Sequence, residues 1–324
     1  MSVVITKHAA RTTRPVPNSA SGGKWGRIDG HAIDIDTATR GQSPAATPIE
    51  DLEVASAVGK RVLVDRAART NDVLSEPMVC DARHPIGGAT YPRLNGLLAS
   101  LPDAEYARWL PQLKVMEMRL GQVLQEPGTE MSHVYFPATA IVSLLHVTER
   151  GQSAEIALVG NEGLVGIASF MGGGAMPSRA VVQNPGTAYC LPSHVLKVEF
   201  DRCGAVLHLL LRYTQALITQ MAQTAVCNRH HSVHQRLCRR LLVTLDRLGE
   251  NEFPMTQDVI ASLLGARREG VSDEARKLQG SGTIQYHRGR ITVLDRANLE
   301  AAACECYAVV KAEYDRLLPP GLGS

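Results

Sequence analysis

The chain has almost no excess charge, no Cys-x-x-Cys pair and no apolar run approaching the ~18 residues of a membrane helix. Over 324 residues the formal net charge is +2, so composition carries no global nucleic-acid signal and any basic surface must be local. The 7 cysteines are odd in number and unpaired in spacing, which argues against a disulfide framework or a zinc site. No signal-peptide core opens the chain, and a reducing, cytoplasmic setting without membrane contact is expected. The β-rich part lacks paired catalytic carboxylates, a nucleophile motif and a metal triad. His133, His146 and Glu155 stand apart there, and no enzymatic activity is expected.

What is present falls into zones. Ser, Thr, Pro, Gly and Arg dominate through Pro48, and residues 1–90 read as a disordered extension. A weak helix over 50–74, a basic DNA-contacting arm and a translation start at Met78 are the alternatives there. From Tyr91 the chain is organised. Short helices are predicted over Asn95–Leu101 and Asp103–Leu113, the second capped by Asp103. After Val115 the pattern becomes short strands: Val123–Gln125, His133–Phe136, Ala140–Val147, Ala154–Val159, Ala180–Gln183 and Thr187–Leu191. Turn sequences at 125–129 and 149–152 separate them, which predicts an antiparallel barrel or sandwich.

Beyond Pro192 the period is helical. Leu207, Leu210, Thr214, Leu217, Met221 and Thr224 recur at three-four spacing, flanked by Leu211, Ile218 and Ala225 at seven-residue steps. This seam suits a coiled-coil dimer helix, the alternative being a helix packed on its own domain. A turn near Asn228 precedes an amphipathic helix carrying Val233, Leu237, Leu241, Leu242, Leu245 and Leu248. Thr256–Leu278 then reads as two short helices about one tight turn. Thr256 caps the first, Asp258 complements its dipole, and Gly265 supplies the left-handed turn residue. Val271, Ala275 and Leu278 would face inward on the second helix, leaving Arg267, Arg268, Glu269, Ser272, Asp273 and Arg276 outward. Such a spacing suits a DNA-reading helix-turn-helix, and equally an ordinary helical hairpin with a solvated face. Thr283–Tyr286 and Arg290–Leu294 alternate around His-Arg-Gly-Arg as a hairpin or wing, and Asp295 caps a final helix through about Leu317.

The order of strands, long helix, helix-turn-helix and wing resembles the Crp/Fnr family of bacterial transcription regulators. The likeness is carried by HVYFPATAIVSLL (133–145), EIALVGNEGLVGI (155–167), CNRHHSVHQRLCRRLL (227–242), LGARREGV (264–271) and GRITVLDRANLEAAACECY (289–307). It implies an α+β chain: a jelly-roll-like antiparallel β-roll over 91–200, a dimerisation helix over 201–228 and a winged helix-turn-helix over 229–318. It further implies a homodimer on double-stranded DNA and contact with RNA polymerase. By resemblance Arg268 and Glu269 are the base readers, chemically apt because guanidinium bonds bidentately to guanine and carboxylate accepts from cytosine N4. Thr256, Gln257 and Arg267 would position the helix, with Ser272 and Arg276 beside them and Arg288 and Arg290 reaching from the wing. Asp273 departs from the family, which carries another Arg there in members reading its best-known operator, so a different target is expected. Glu274 departs too, where the family buries an apolar residue, and that helix face is expected to be rotated or partly exposed.

Cyclic-nucleotide-binding members resemble one another in a Gly-Glu step followed by Arg-Ser or Arg-Thr. Here Gly166 precedes Ile167 and Arg179 precedes Ala180. A missing charge-assisted ribose contact costs about 1.5–3 kcal/mol, so this candidate pocket is not expected to take a cyclic nucleotide and the effector stays open. No cofactor is expected. Only Cys80 lies where other branches hold an iron–sulfur cluster. Cys304 and Cys306, on one continuous helix, would diverge by about 200° and could not share a metal. His230 and His234 have metal-capable spacing, but no metal is expected. The competing reading is a small-molecule or redox sensor whose C-terminal domain works through protein contacts.

Overall fold

The structure, a computed structural model, describes residues 92–319, and the expectations for residues 1–90 lie outside it. Pro92–Leu94 forms a 3-10 turn leading into α1 (Gly96–Ala99) and α2 (Asp103–Trp109). Asn95 anchors this entry. Its Oδ1 accepts from the Leu97 and Leu98 amides, and its Nδ2 donates to the Pro137 and Gly163 carbonyls at 2.9 and 2.8 Å. A fully buried amide is thereby satisfied on both ends. Asp103 is not the cap that was expected. Pro102 stands there without a side-chain bond, and Asp103 opens the first turn as an acidic residue favourable to the dipole.

Strands β1 (Lys114–Met118), β2 (Val123–Gln125), β3 (His133–Pro137), β4 (Ile141–Val147), β5 (Ser153–Val159), β6 (Arg179–Asn184) and β7 (Gly186–Pro192) form two antiparallel sheets, ordered β1-β7-β3 and β2-β6-β4-β5. Of these, β1 was not anticipated; Val115 and Met116 are only half-buried and Lys114 is exposed, so its sequence shows no contrast between faces. Between β5 and β6 lies α3 (Ala168–Met171), and after β7 comes α4 (Ser193–Asp201). Phe136, Val142, Val159, Tyr189 and Leu191 fill the roll, and α5 (Ala205–His230) lays Leu209, Leu210, Tyr213, Ala216 and Leu217 into the same core.

This corrects the seam. Leu210, Thr214 and Leu217 are buried in their own chain, and Leu207 and Met221 are half-buried. Leu211, Ile218 and Ala225, the flanking members of the expected seam, are the ones left exposed along one stripe. Sequence period reports how often an apolar residue recurs, and here two adjacent faces of one helix share it.

The break after α5 also moves. Helix continues through His230, and His231 is extended at φ −104°, ψ 148° before Ser232 and Gln235 form a capping box for α6 (Val233–Leu248). Then follow β8 (Glu252–Pro254), α7 (Gln257–Leu264), α8 (Arg268–Gly280), β9 (Ile284–His287) and β10 (Arg290–Val293), the strands ordered β8-β10-β9. A second core gathers Leu237, Leu241, Phe253, Ile260, Val271, Leu278, Ile291 and Leu299. The single final helix is two: α9 (Arg296–Ala302), capped by Asp295 as expected, and α10 (Cys306–Leu317). Ala303 at ψ 161° separates them. No helix among the described residues is long and apolar enough to cross a membrane.

Buried ion pairs dock α6 on the roll. Arg247 Nε meets Glu162 at 2.8 Å, and its Nη2 donates to Gln220 Oε1 at 3.1 Å; Arg240 meets Glu155 at 3.1 Å. Burial alone would lower the pKa of Arg247, but Glu162 together with Tyr314 and Tyr213 outweighs it, whereas burial prevails at Arg240.

On the roll's far side, Arg108 binds Glu199 through Nε and Nη2 at 3.0 and 2.9 Å. These hydrogen bonds, set against the burial of Glu199, hold its carboxyl below its ordinary range. A depressed carboxyl contributes stability above its unfolded pKa and loses it as pH falls through the folded value. Glu199→Gln is therefore expected to lower the urea midpoint at neutral pH and to flatten the loss of stability below about pH 5; parallel pH titrations of wild type and variant would contradict this.

Candidate nucleic-acid interface

The geometry of 256–280 follows from its caps. Thr256 Oγ1 accepts from the Val259 amide at 3.3 Å, and Gly265 stands at φ 57°, ψ 37°, with the Ala266 amide reaching back to the Ala261 carbonyl at 2.9 Å. Residue Arg267 is extended at φ −74°, ψ 141°, so α8 starts at Arg268. Ile260, Ala261, Leu264, Val271, Ala275 and Leu278 bury the inner faces. The outer face at the start of α8 carries Arg267, Arg268 and Glu269, all exposed, with Asp273, Arg276 and Lys277 further along.

Polar bonds hold this face in register. Ser272 donates to Gln257 across the two helices, and Arg268 Nε pairs with Asp258 Oδ1 at 3.2 Å, both side chains largely exposed. Asp258 therefore does more than complement a dipole: it is the resting partner of Arg268. Exposed pairs contribute about 0–1 kcal/mol, so this one exchanges readily for a better acceptor. Arg276 pairs with Asp273 at 3.1 Å on the same helix. Glu274 is not a sign of a rotated face. It is half-buried between His234 Nδ1 and Lys277 Nζ, each at 2.9 Å, and the buried face of α8 runs as its apolar spacing requires. Burial would raise the Glu274 pKa, but the Lys277 and His234 hydrogen bonds prevail and lower it.

The wing turn is Arg288–Gly289, both at positive φ (48° and 75°), the conformation of a two-residue hairpin loop matched to strand twist. Arg288 is exposed at its tip, while Arg290 is held by Glu252 on β8. The Met255 amide donates to the Gly289 carbonyl at 2.7 Å, which ties the wing to the residue before the Thr256 cap. The structure thus brings together Thr256, Gln257, Arg267, Arg268, Glu269 and Ser272, with Arg276 and Asp273 one turn on, and sets Arg290 in a strand-to-strand pair.

In the roll, Gly166 stands at φ 110°, and Ile167 belongs to the hydrophobic core. Ala180 is buried, and Arg179 Nη2 pairs with Glu126 Oε1 at 2.6 Å. A separate group was missed altogether: Cys227, His231, Cys304 and Cys306 converge between α5 and the α9–α10 break. Cys304 and Cys306 would diverge only on one continuous helix, and the break at Ala303 lets both turn to the same point. The sequence does carry a signal for this group, since Cys227 and His231 have the same i,i+4 spacing as His230 and His234.

Comparison with known proteins places this geometry. Residues 115–202 match the family model for a cyclic nucleotide-binding domain, and residues 235–302 match that for a Crp-like helix-turn-helix domain. The global nitrogen regulator of Synechococcus elongatus is 22% identical over 192 residues, 56% of this chain and 86% of that protein. The solved structure of FixK2 from Bradyrhizobium japonicum superposes with a TM-score of 0.51 at 16% identity, covering 59% of this chain and 98% of its own. A Crp/Fnr-family regulator from Eubacterium rectale gives 0.50 at 18% identity, with 65% and 98% covered. At these identities the structures establish the fold, and the two matched domains in this order establish the class. The chain carries a cyclic nucleotide-binding domain followed by a Crp-like helix-turn-helix domain, the make-up of a DNA-binding transcription regulator of the Crp/Fnr type.

Gly289 tests the wing. A Cβ there would lie 3.2 Å from Thr256 Cγ2 and would meet a positive φ. Gly289→Ala is expected to destabilise the chain by about 1 kcal/mol, measured by chemical denaturation. Stability equal to wild type would show that the turn and the Thr256 cap relax without cost.

Proposed function

We propose that the chain works as a homodimer that reads a pseudo-palindromic site through Arg268 and Glu269. Its half-sites would lie about one helical turn, near 34 Å, apart. The observation that carries this reading is the exposed Arg267-Arg268-Glu269 corner on a capped, well-packed α8. Arg268 gives up a weak, solvated pair with Asp258 in exchange for the O6 and N7 of guanine. Thr256, Gln257, Arg267 and Arg288 lie where they could contact phosphates and fix register; Arg290 serves that role only by leaving Glu252. Asp273, occupied with Arg276, sets a target different from the family's best-known one. In this reading the working divisions are a roll over 91–200, a dimer helix over 201–228 and a winged helix over 229–318.

The roll is a receiving domain without a cyclic nucleotide. Ile167 offers no acceptor to a ribose, and Arg179 is neutralised by Glu126, so a phosphate would have to displace a carboxylate already 2.6 Å from the guanidinium. The relatives' character as regulators supports a non-enzymatic role, a cytoplasmic setting and contact with RNA polymerase.

Selection of binding sequences from a random pool at fixed salt tests the DNA reading. An enriched palindrome is expected, and none would overturn it. Arg268→Ala is expected to weaken the selected site by about 1–3 kcal/mol while sparing the oligomer; equal weakening on all DNA would mean a phosphate contact only.

The dimer face is the stripe of Leu211, Ile218 and Ala225 continued by Val226, with Ile218 57% and Leu211 48% exposed. Ile218→Glu is expected to yield folded monomers by light scattering, whereas Leu217→Glu, inside the roll's core, unfolds the chain. A folded Ile218→Glu protein with unchanged mass would refute this face.

A further inference from the structure

Cys227 and His231 lie one turn apart at the end of α5, while Cys304 lies in the break between α9 and α10 and Cys306 opens α10. Their four ligand atoms all lie within 4.8 Å of one another. The Sγ atoms of Cys227 and Cys304 are 3.5 Å apart, and Cys306 Sγ is 3.5 Å from His231 Nδ1. With Zn–S near ~2.3 Å and Zn–N near ~2.0 Å, a tetrahedral zinc site holds its ligand atoms about 3.5–3.8 Å apart. The four groups are therefore spaced for a single ion and stand too close to surround an iron–sulfur cluster. All three cysteines are buried, at 0, 4 and 1% exposure, in a small cluster separate from both main cores.

The ring of His231 shows a second feature. Its Nδ1 faces the thiols while its Nε2 meets Glu305 Oε1 at 3.2 Å. A carboxylate on the far ring nitrogen fixes the tautomer and orientation of a metal-binding histidine and raises its basicity. Arg239 lies close enough to act electrostatically on Cys227 and Cys306, and supplies a positive charge beside what would be three thiolates.

We infer that Cys227, Cys304, Cys306 and His231 form a structural zinc site that fastens the end of the long helix α5 to the C-terminal helices. Binding releases the thiol protons still held and changes no oxidation state. Three sulfurs and one imidazole in tetrahedral spacing favour zinc over the hard, oxygen-seeking cations. The site closes on the residue where α5 ends, one position before the cap of α6. Metal occupancy would thus stiffen the joint between the roll's helix and the winged domain.

The test uses the full chain, purified under reductant from zinc-supplemented cells. Elemental analysis is expected to give about one zinc per chain. Replacement by Co2+ is expected to give thiolate-to-cobalt charge-transfer bands and intense tetrahedral d–d bands. The double variant Cys304→Ser with Cys306→Ser should lose them, and Cys238→Ser, a buried cysteine outside the cluster, should keep them. Because the double variant disturbs a buried group, Glu305→Gln provides the second arm: its carboxylate is largely exposed, and its loss should weaken Co2+ affinity about 10–100-fold with the fold unchanged by circular dichroism. A folded, reduced wild-type protein with neither zinc nor thiolate–cobalt bands overturns the site. So do bands that persist in the double variant. A zinc-free protein isolated with Cys227 and Cys304 in a disulfide overturns it in favour of a redox pair. None of these readouts involves DNA, so the site stands or falls apart from the operator-reading proposal.

Discussion

Two arginines of α6 are sunk against the β-roll, and where their counter-charges lie decides where the DNA-binding half sits. Arg247 reaches Glu162 on the loop after β5, Gln220 on α5 and the Leu158 carbonyl, so one guanidinium joins three elements. Arg240 does the same for Glu155 on β5. An intact buried pair adds little net stability over an apolar substitute, but losing one partner costs about 3–5 kcal/mol because the other charge is stranded. Such a contact selects one arrangement over slightly shifted ones, which apolar packing of α6 alone would tolerate. The roll, the long helix and the winged domain are held in register by charge that has no other place to go.

The proposed reading surface depends on that register and is itself lightly built. Its side chains are engaged in weak, solvated pairs, Arg268 with Asp258 and Arg276 with Asp273, which keep the guanidiniums extended without committing them. Beneath them the bonds are stronger: the Glu274–His234 contact between α8 and α6, and the Thr256 cap beside the wing. Rigid support under exchangeable contacts suits a surface that must meet DNA without first unfolding anything.

Most of this was legible in the amino-acid order because it rests on local rules. Thr256, Gly265 and Asp295 each marked a helix end, the strands from β2 to β7 announced themselves by their turns, and the Arg-Gly step marked the wing. What escaped depends on facts that period and propensity do not encode. Strand β1 presents no contrast between its faces. Half of the expected seam turned out to be core because α5 is apolar on two adjacent sides, and only the roll's presence decides which is inside. Glu274 looked misplaced until His234, 40 positions away, supplied its partner. Cys304 and Cys306 seemed to diverge because Ala303, a good helix former, gives no sign that the helix stops there.

One small contact has mechanical weight. Ser153, at the start of β5, shares a hydrogen bond of 2.8 Å with Ser262 on α7, and Ala154 faces Gly265, its Cβ 3.9 Å from where a side-chain carbon on Gly265 would stand. The β4–β5 hairpin thus touches the fulcrum of the helix-turn-helix while α8 projects 13 residues beyond it, about 20 Å of helix. A tilt too small to break either core would move the far end of α8 most, whereas Arg268 and Glu269 stand within one turn of Gly265 and would shift with the hairpin itself. Whatever displaces the β4–β5 hairpin is therefore felt first at the two side chains proposed to read bases.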